Sequence, residues 1–194
     1  MDMFELRRQA VHAAGILSIL PLLLFGKWIG AAATGAVFAV FLIWAMWRHN
    51  RHGPATGINK LAESFATGYE RSAERPLMGA ITFYAGATVA VLLFDVGIAA
   101  AAIAVLALAD AFSTIVGFYF GKHKLPVNPK KSWEGSATFW LAAFAVLLVF
   151  VNPFRAFLTA WIAMTIEALP RIDDNISIPI TIGALLTVLA YFNI

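Results

Sequence analysis

Asp110 interrupts a run of apolar residues long enough to cross a bilayer. A carboxylate at the centre of a membrane helix costs about 2.5–3.5 kcal/mol on insertion scales, so an acid there ordinarily serves a site. Helical spacing puts Asp110, Ser113, Thr114 and Gly117 on one face. That face is small and polar, suited to a water-filled or metal-bearing cleft. At ~1.5 Å per residue, Asp110 lies about 15 Å along the helix from Gly121.

The loop after Gly121 carries Lys122, Lys124, Lys130 and Lys131, and Pro126 and Pro129 keep it from being helical. A polybasic loop beside a membrane commonly meets anionic headgroups. This one does more in its second half, where Asn128-Pro129-Lys130-Lys131-Ser132 leads to Glu134 and Gly135 at the start of the next apolar run. Lysines beside the free N–H groups of a helix start make a pocket for phosphate. Glu134 and Asp110 together offer oxygen ligands to Mg²⁺, which bridges substrate phosphates.

Two other clusters accompany them. Glu5, Arg8 and His12 are spaced for one helical face, with Arg7 adjacent. Anchoring at the membrane surface accounts for the arginines but not for His12. Asp173 and Asp174 stand side by side at the entry to the last apolar run. Paired acids there complement a helix dipole; beside Asp110 and the lysines they also suit metal binding or proton abstraction. Arg75-Pro76 before Gly79 is a weaker pointer. The chain has no cysteine, which removes disulfides, thiolate zinc sites and thiol catalysis. It has no GxxxxGK[ST] loop, and His12, His49, His52 and His123 lack zinc spacing.

The elements that position these groups are membrane helices. Of 194 residues 61% are hydrophobic and 13% charged, against about 45–50% and about 25% in soluble domains. Mean hydropathy is +0.80. An ordinary water-soluble fold, disorder and a nucleic-acid-binding reading of the basic pI are all excluded. Runs of the roughly 17–25 residues that a crossing needs fall near 11–26, 28–47, 78–96, 98–120, 136–151, 154–170 and 176–194. The expected fold is therefore all-α, a polytopic integral-membrane bundle of about seven helices, with soft boundaries that accommodate six or eight. Residues 1–194 read as one domain, without internal repeats. The first run is not a signal peptide, since no small-residue cleavage site precedes a soluble domain.

Seven spans place the N-terminus and the connections near 48–77, 121–135 and 171–175 on one side. All of the 14 Lys and Arg except Lys27 and Arg155 then lie on that side, which the positive-inside rule makes cytosolic. The opposite connections are too short to hold a site, so the chemistry belongs to the cytosolic face. Trp28, Trp44, Trp47, Trp133 and Trp140 fall near span ends as interfacial anchors. The alanine-rich stretch 99–109 permits close helix packing and suits a homodimer.

Four blocks, ELRRQAVH at 5–12, ERPLMGAITFY at 74–84, ADAFSTIVGFYFGKHKLPVNPKKSWEGS at 109–136 and IDDNISIP at 172–179, together resemble the dolichol kinase, phytol kinase and yeast-type diacylglycerol kinase family. These are integral-membrane lipid kinases that use CTP. The central block also resembles the related phosphatidate cytidylyltransferases, with their Asp-containing helix and Pro-Lys-Lys loop. One departure is Ala109, where the family usually has Gly before the Asp. The resemblance implies a nucleotide site made by Asp110, Lys130, Lys131 and Glu134, with Gly121, Lys122 and Lys124 in its loop. It implies supporting roles for Arg8, His12, Asp173 and Asp174, with Mg²⁺ and CTP as cosubstrates.

Residues and resemblance together give a definite expectation. Asp110, Asp173, Asp174 and His12 form the catalytic set, and Asp110 and Glu134 hold the metal. Arg8, Gly121, Lys122, Lys124, Asn128, Lys130, Lys131, Ser132 and Gly135 bind nucleotide and phosphate. A membrane alcohol (dolichol or another polyprenol, phytol, geranylgeraniol or a diacylglycerol) enters the cleft laterally and attacks the terminal phosphorus of CTP. Phosphoryl transfer depends chiefly on positioning and charge stabilisation, so this constellation suffices. The compact chain suits a prokaryotic cell membrane. The rival chemistry is cytidylyl transfer to a lipid phosphate. A small ion-coupled transporter with Asp110 as its ion site is the non-enzymatic rival, but the polar groups gather at one face rather than on paired broken helices.

Overall fold

A computed structural model of the protein describes residues 3–49, 57, 60, 77–170 and 173–193. Eight α-helices lie within them: α1 (Met3–Ala14), α2 (Ile19–Phe25), α3 (Lys27–His49), α4 (Met78–Leu93), α5 (Val96–Phe120), α6 (Trp133–Leu147), α7 (Pro153–Glu167) and α8 (Asp174–Tyr191). A 3₁₀ turn, Gly15–Ser18, links α1 to α2, and no strand occurs among the described residues. The protein is an all-α integral-membrane bundle. Among the described residues, four spans are long and apolar enough to cross a membrane: Met3–Phe25, α3, α5 and α8. α4 is apolar and shorter, while α6 and α7 have 15 residues each.

Several boundaries differ from the sequence reading. The first span begins at Met3 rather than near 11, so Glu5, Arg8 and His12 all sit on helix α1. It is broken at Gly15–Ser18 because Pro21 has no N–H to donate to the carbonyl one turn earlier, and the chain tightens into a 3₁₀ turn there. α6 starts at Trp133 instead of 136, because the Ser132 hydroxyl accepts from the Gly135 N–H and caps it. α8 starts at Asp174, capped by Asp173. Most of the connection near 48–77, with Arg51, Arg71, Arg75 and Pro76, lies outside the described residues, as does Arg171.

α5 is the axis of the bundle. Residues 99–107 are buried without interruption, with α1, α2, α4, α6 and α8 packed around the helix. The alanines read as a homodimer surface are thus consumed inside the chain: small side chains let neighbouring backbones approach. Gly26, at φ 86°, turns the chain from α2 directly into α3. α7 is opened by Asn152, whose Oδ1 accepts from the Arg155 N–H, and by Pro153 in the first turn.

The α5–α6 crossing is the most extensive helix pair, and glycines set its closeness at the polar end. A Cβ on Gly135 would come within 3.1 Å of the Ser113 carbonyl and 3.2 Å of Gly117 Cα. Gly135→Val is therefore expected to push α5 and α6 apart and to destabilise the protein by about 1–3 kcal/mol. Gly97→Ala, where nothing lies within 4 Å of the new methyl, should leave thermal unfolding in detergent unchanged or slightly raised.

Candidate active site

α5 delivers Asp110, Ser113, Thr114, Gly117 and Phe118 to one wall of a cleft of about 610 Å³. The other walls come from Arg8 on α1, Lys124, Lys130, Lys131 and Ser132 in the loop, Gly135 and Ser136 on α6, Glu167 on α7, and 173–175 at the start of α8. Asp110 and the three residues that helical spacing grouped with it all face this space.

Inside the cleft, Asp110, Glu167 and Asp174 each bring a carboxylate oxygen to within 4.8 Å of the others. Glu167 is the last residue of α7 and is almost wholly buried; Asp174 opens α8. The Lys131 ammonium lies among them, donating to Glu167 Oε1 at 2.5 Å and to Asp174 Oδ2 at 2.6 Å. Ser136 Oγ donates to the other Glu167 oxygen at 3.3 Å. Burial acts to lower the Lys131 pKa, but the charges of Glu167, Asp174 and Asp110 outweigh it and hold the group above the ordinary lysine value. Lys131 is therefore a permanent cation at neutral pH.

The paired acids of the sequence divide into two jobs. Asp173 Oδ1 accepts from the Asn175 N–H at 3.0 Å and caps α8, and Asp173 still reaches the cleft rim. Asp174, one residue on, turns into the carboxylate cluster. The Asn175 amide donates to Thr82 Oγ1 at 2.9 Å, while the Asn175 carbonyl lies against Gly86, where no Cβ would fit. These contacts fix the start of α8 against α4.

The loop that carries Lys131 is closed on itself. The Leu125 and Lys131 N–H groups donate to the Lys131 and Asn128 carbonyls, and the Trp133 N–H to the His123 carbonyl. Asn128 is buried and its Oδ1 accepts from the Lys130 N–H at 3.3 Å. Its side chain thus shapes the loop and is not among the residues lining the cleft. Gly121 packs against Ser132 and the Gly117 carbonyl, again with no space for a Cβ. Lys122 is exposed and is not among the lining residues either.

Glu134 does not join the carboxylate cluster. Its Oε1 lies 2.7 Å from His123 Nδ1, and both oxygens accept from the His123 N–H at 3.3 Å. The sequence pairs Glu134 with Asp110 as metal-holding acids, whereas the acids that stand beside Asp110 in the cluster are Glu167 and Asp174. A signal for Glu167 existed: it is an ionisable residue at the end of an otherwise apolar run, the same anomaly that marks Asp110.

On α1, the buried Glu5 carboxylate accepts from Arg8 at 2.7 Å and from the Gln9 amide at 2.8 Å, which orients the Arg8 guanidinium at the cleft wall. His12 Nε2 lies 3.1 Å from the Leu106 carbonyl and 3.3 Å from Asp110 Oδ2. A carbonyl only accepts, so Nε2 carries the proton in this contact. Phe83 meets the imidazole edge-on, with ring centroids 5.2 Å apart. His12 therefore braces Asp110 from behind rather than lining the cleft.

The donor set fits a hard divalent cation. Three carboxylates converge, the buried Asp174 Oδ1 has no hydrogen-bond partner, and Mg²⁺ takes one or two carboxylates together with phosphate oxygens. Around them Arg8, Lys124, Lys130 and Lys131 supply positive charge suited to phosphate.

Residues 2–176 match the model of a family described as the cytidylyltransferase family. Among curated proteins, the chain is 30% identical over 131 residues to a probable phytol kinase, chloroplastic, of Triticum aestivum, covering 57% of this chain and 44% of that protein. It is 29% identical over 89 residues to phytol kinase 1, chloroplastic, of Arabidopsis thaliana, covering 37% and 29%. A probable phytol kinase 2, chloroplastic, of Glycine max is 33% identical over 89 residues, covering 37% and 30%. The matched stretch spans less than half the length of each of these relatives. No solved structure matches the chain.

The Lys131–Glu167 contact predicts strong thermodynamic coupling. Lys131→Met strands two carboxylates and should cost about 3 kcal/mol or more. Adding Glu167→Gln should cost far less than its single effect, a non-additivity that a double-mutant cycle in detergent measures. Because the Lys131 pKa is raised, the part of the stability that comes from its own ionisation is present at neutral pH and is lost as pH climbs past the ordinary lysine value of 10.5.

Proposed function

The chain belongs to the cytidylyltransferase family, and on that premise we propose that it is a membrane lipid kinase, moving the terminal phosphate of CTP to the hydroxyl of an isoprenoid alcohol. The observation that carries this reading is the lysine-centred carboxylate cluster, set in a cleft that bilayer helices and a basic loop share. Phosphoryl transfer asks a protein for positioned cations and a metal rather than a covalent nucleophile, and that is the inventory of this cleft. The relatives named as phytol kinases favour phytol or a similar isoprenoid over dolichol, longer polyprenols or a diacylglycerol as acceptor.

In this reading, Asp110, Glu167 and Asp174 hold Mg²⁺, which when bound offsets the charge of the nucleotide phosphates. Arg8, Lys124 and Lys130 bind the phosphate oxygens, with Arg8 kept in place by Glu5. Ser132, whose hydroxyl takes the Gly135 N–H and so fixes the start of α6, and Gly135, which adds no side chain to the cleft wall, leave room for the phosphates beside them. The alcohol slides in from the bilayer along α5, past the exposed ring of Phe118. Asp110, braced by His12, accepts the hydrogen bond and then the proton of the incoming hydroxyl, whose oxygen bonds to the terminal phosphorus as the bond from that phosphorus to CDP breaks and CDP leaves. Asp173 keeps Asp174 in register by capping α8. The cleft opens on the basic, cytosolic side of a cell membrane, and residues 1–194 act as a single domain.

The family description also favours a second reading, in which a lipid phosphate attacks the α-phosphorus of CTP to give a CDP-lipid. Purified protein with Mg²⁺, a mixed pool of lipid alcohols and lipid phosphates, and CTP labelled at the α or the γ position separates the two. Label is expected in lipid from γ-CTP alone; transfer from α-CTP alone would overturn the kinase reading. Asp110→Asn, Glu167→Gln and Asp174→Asn should each lower kcat on the order of 10²-fold or more. Asp173→Asn should act mainly on stability, and His123→Ala should stay within severalfold of the wild type.

A further inference from the structure

The Lys131 ammonium stands where a cation would stand, and it holds the carboxylates that a divalent ion would need. Its Nζ reaches Glu167 at 2.5 Å and Asp174 at 2.6 Å, within a trio whose oxygens span no more than 4.8 Å. One positive charge at this spacing already satisfies much of what a metal would. The side chain is not trapped: Lys131 belongs to the loop between α5 and α6, is about a quarter exposed, and borders the cleft. Its long stem lets the ammonium swing toward the space where Arg8, Lys124 and Lys130 gather. We infer that Lys131 is the resident counter-cation of the carboxylate trio, and that it must leave the trio before a divalent ion can enter.

The consequence is an order of events at the site proposed above, on whose metal-holding role this inference rests. A divalent ion alone must displace a paired lysine and therefore binds weakly. A nucleotide offers the released ammonium a new anionic partner, so nucleotide and metal favour each other's binding through the same residue. Such coupling is reciprocal and typically 5–150-fold. The empty protein, meanwhile, avoids leaving three carboxylates facing each other at the membrane edge.

Mn²⁺ binding followed by electron paramagnetic resonance tests this on the full chain in nanodiscs, without nucleotide. Lys131→Met should bind Mn²⁺ at least about tenfold more tightly than the wild type, and K131M/E167Q should lose that gain. Equal or weaker binding by a folded K131M would overturn the inference. Should K131M fail to fold, the wild type still decides it through amine acylation read by mass spectrometry. Saturating Mn²⁺ should raise labelling of Lys131 relative to Lys122; bound Mn²⁺ with Lys131 labelling unchanged would overturn the lysine's role while leaving the metal site standing. Absence of any Glu167-dependent Mn²⁺ binding, with or without CTP, would overturn the metal-holding reading and this inference together.

Discussion

Three ionised carboxylates cannot share the edge of a bilayer unless a cation lies among them. Lys131 meets that requirement, and the interior of α5, the end of α7 and the start of α8 are brought together around it. Taking a charge from water into a partly apolar environment costs several kcal/mol, repaid only when the geometry of pairing is good. Glu167 is the member least able to exist alone, being nearly wholly buried with Lys131 and Ser136 as its partners. The stability of the bundle's polar end and the chemistry of its cleft are thus one electrostatic arrangement.

Delivering an ammonium to that point demands a loop that does not fluctuate. Residues 121–132 meet the demand with backbone hydrogen bonds across the loop, a buried asparagine that shapes its tip, and the Ser132 cap that converts it directly into α6. Gly121 leaves no room for a Cβ and Gly135 only a tight one, so α5, the loop and α6 pack closely at this end. The His123–Glu134 contact fastens the same loop from the solvent side. Rigid helices hold the acids, while the cation comes from a fixed loop on a long, flexible side chain.

α1 and α4 act one layer further out. Glu5 aims Arg8 at the cleft, His12 supports Asp110, and Thr82 with Gly86 seats the first turn of α8. Most residues of the cleft thus position others rather than stand free in it.

Local physics made much of this readable from the chain alone. Apolar run length and the side on which basic residues collect reveal a membrane bundle, because both reflect transfer into lipid and need no tertiary contact. The face shared by Asp110, Ser113, Thr114 and Gly117 follows from helical periodicity, which is equally local. Three assignments depended on the fold. Glu134 and Ser136 differ by two residues, roughly 200° around a helix; the phase set by the Ser132 cap turns Ser136 to the cleft and Glu134 to His123. Asp173 and Asp174 look equivalent in sequence, yet only one can cap α8 while the next turns inward. Glu167 meets Lys131 across 36 positions of chain, and no pattern along the sequence encodes such a meeting, because only packing of α7 against its neighbours brings the two together.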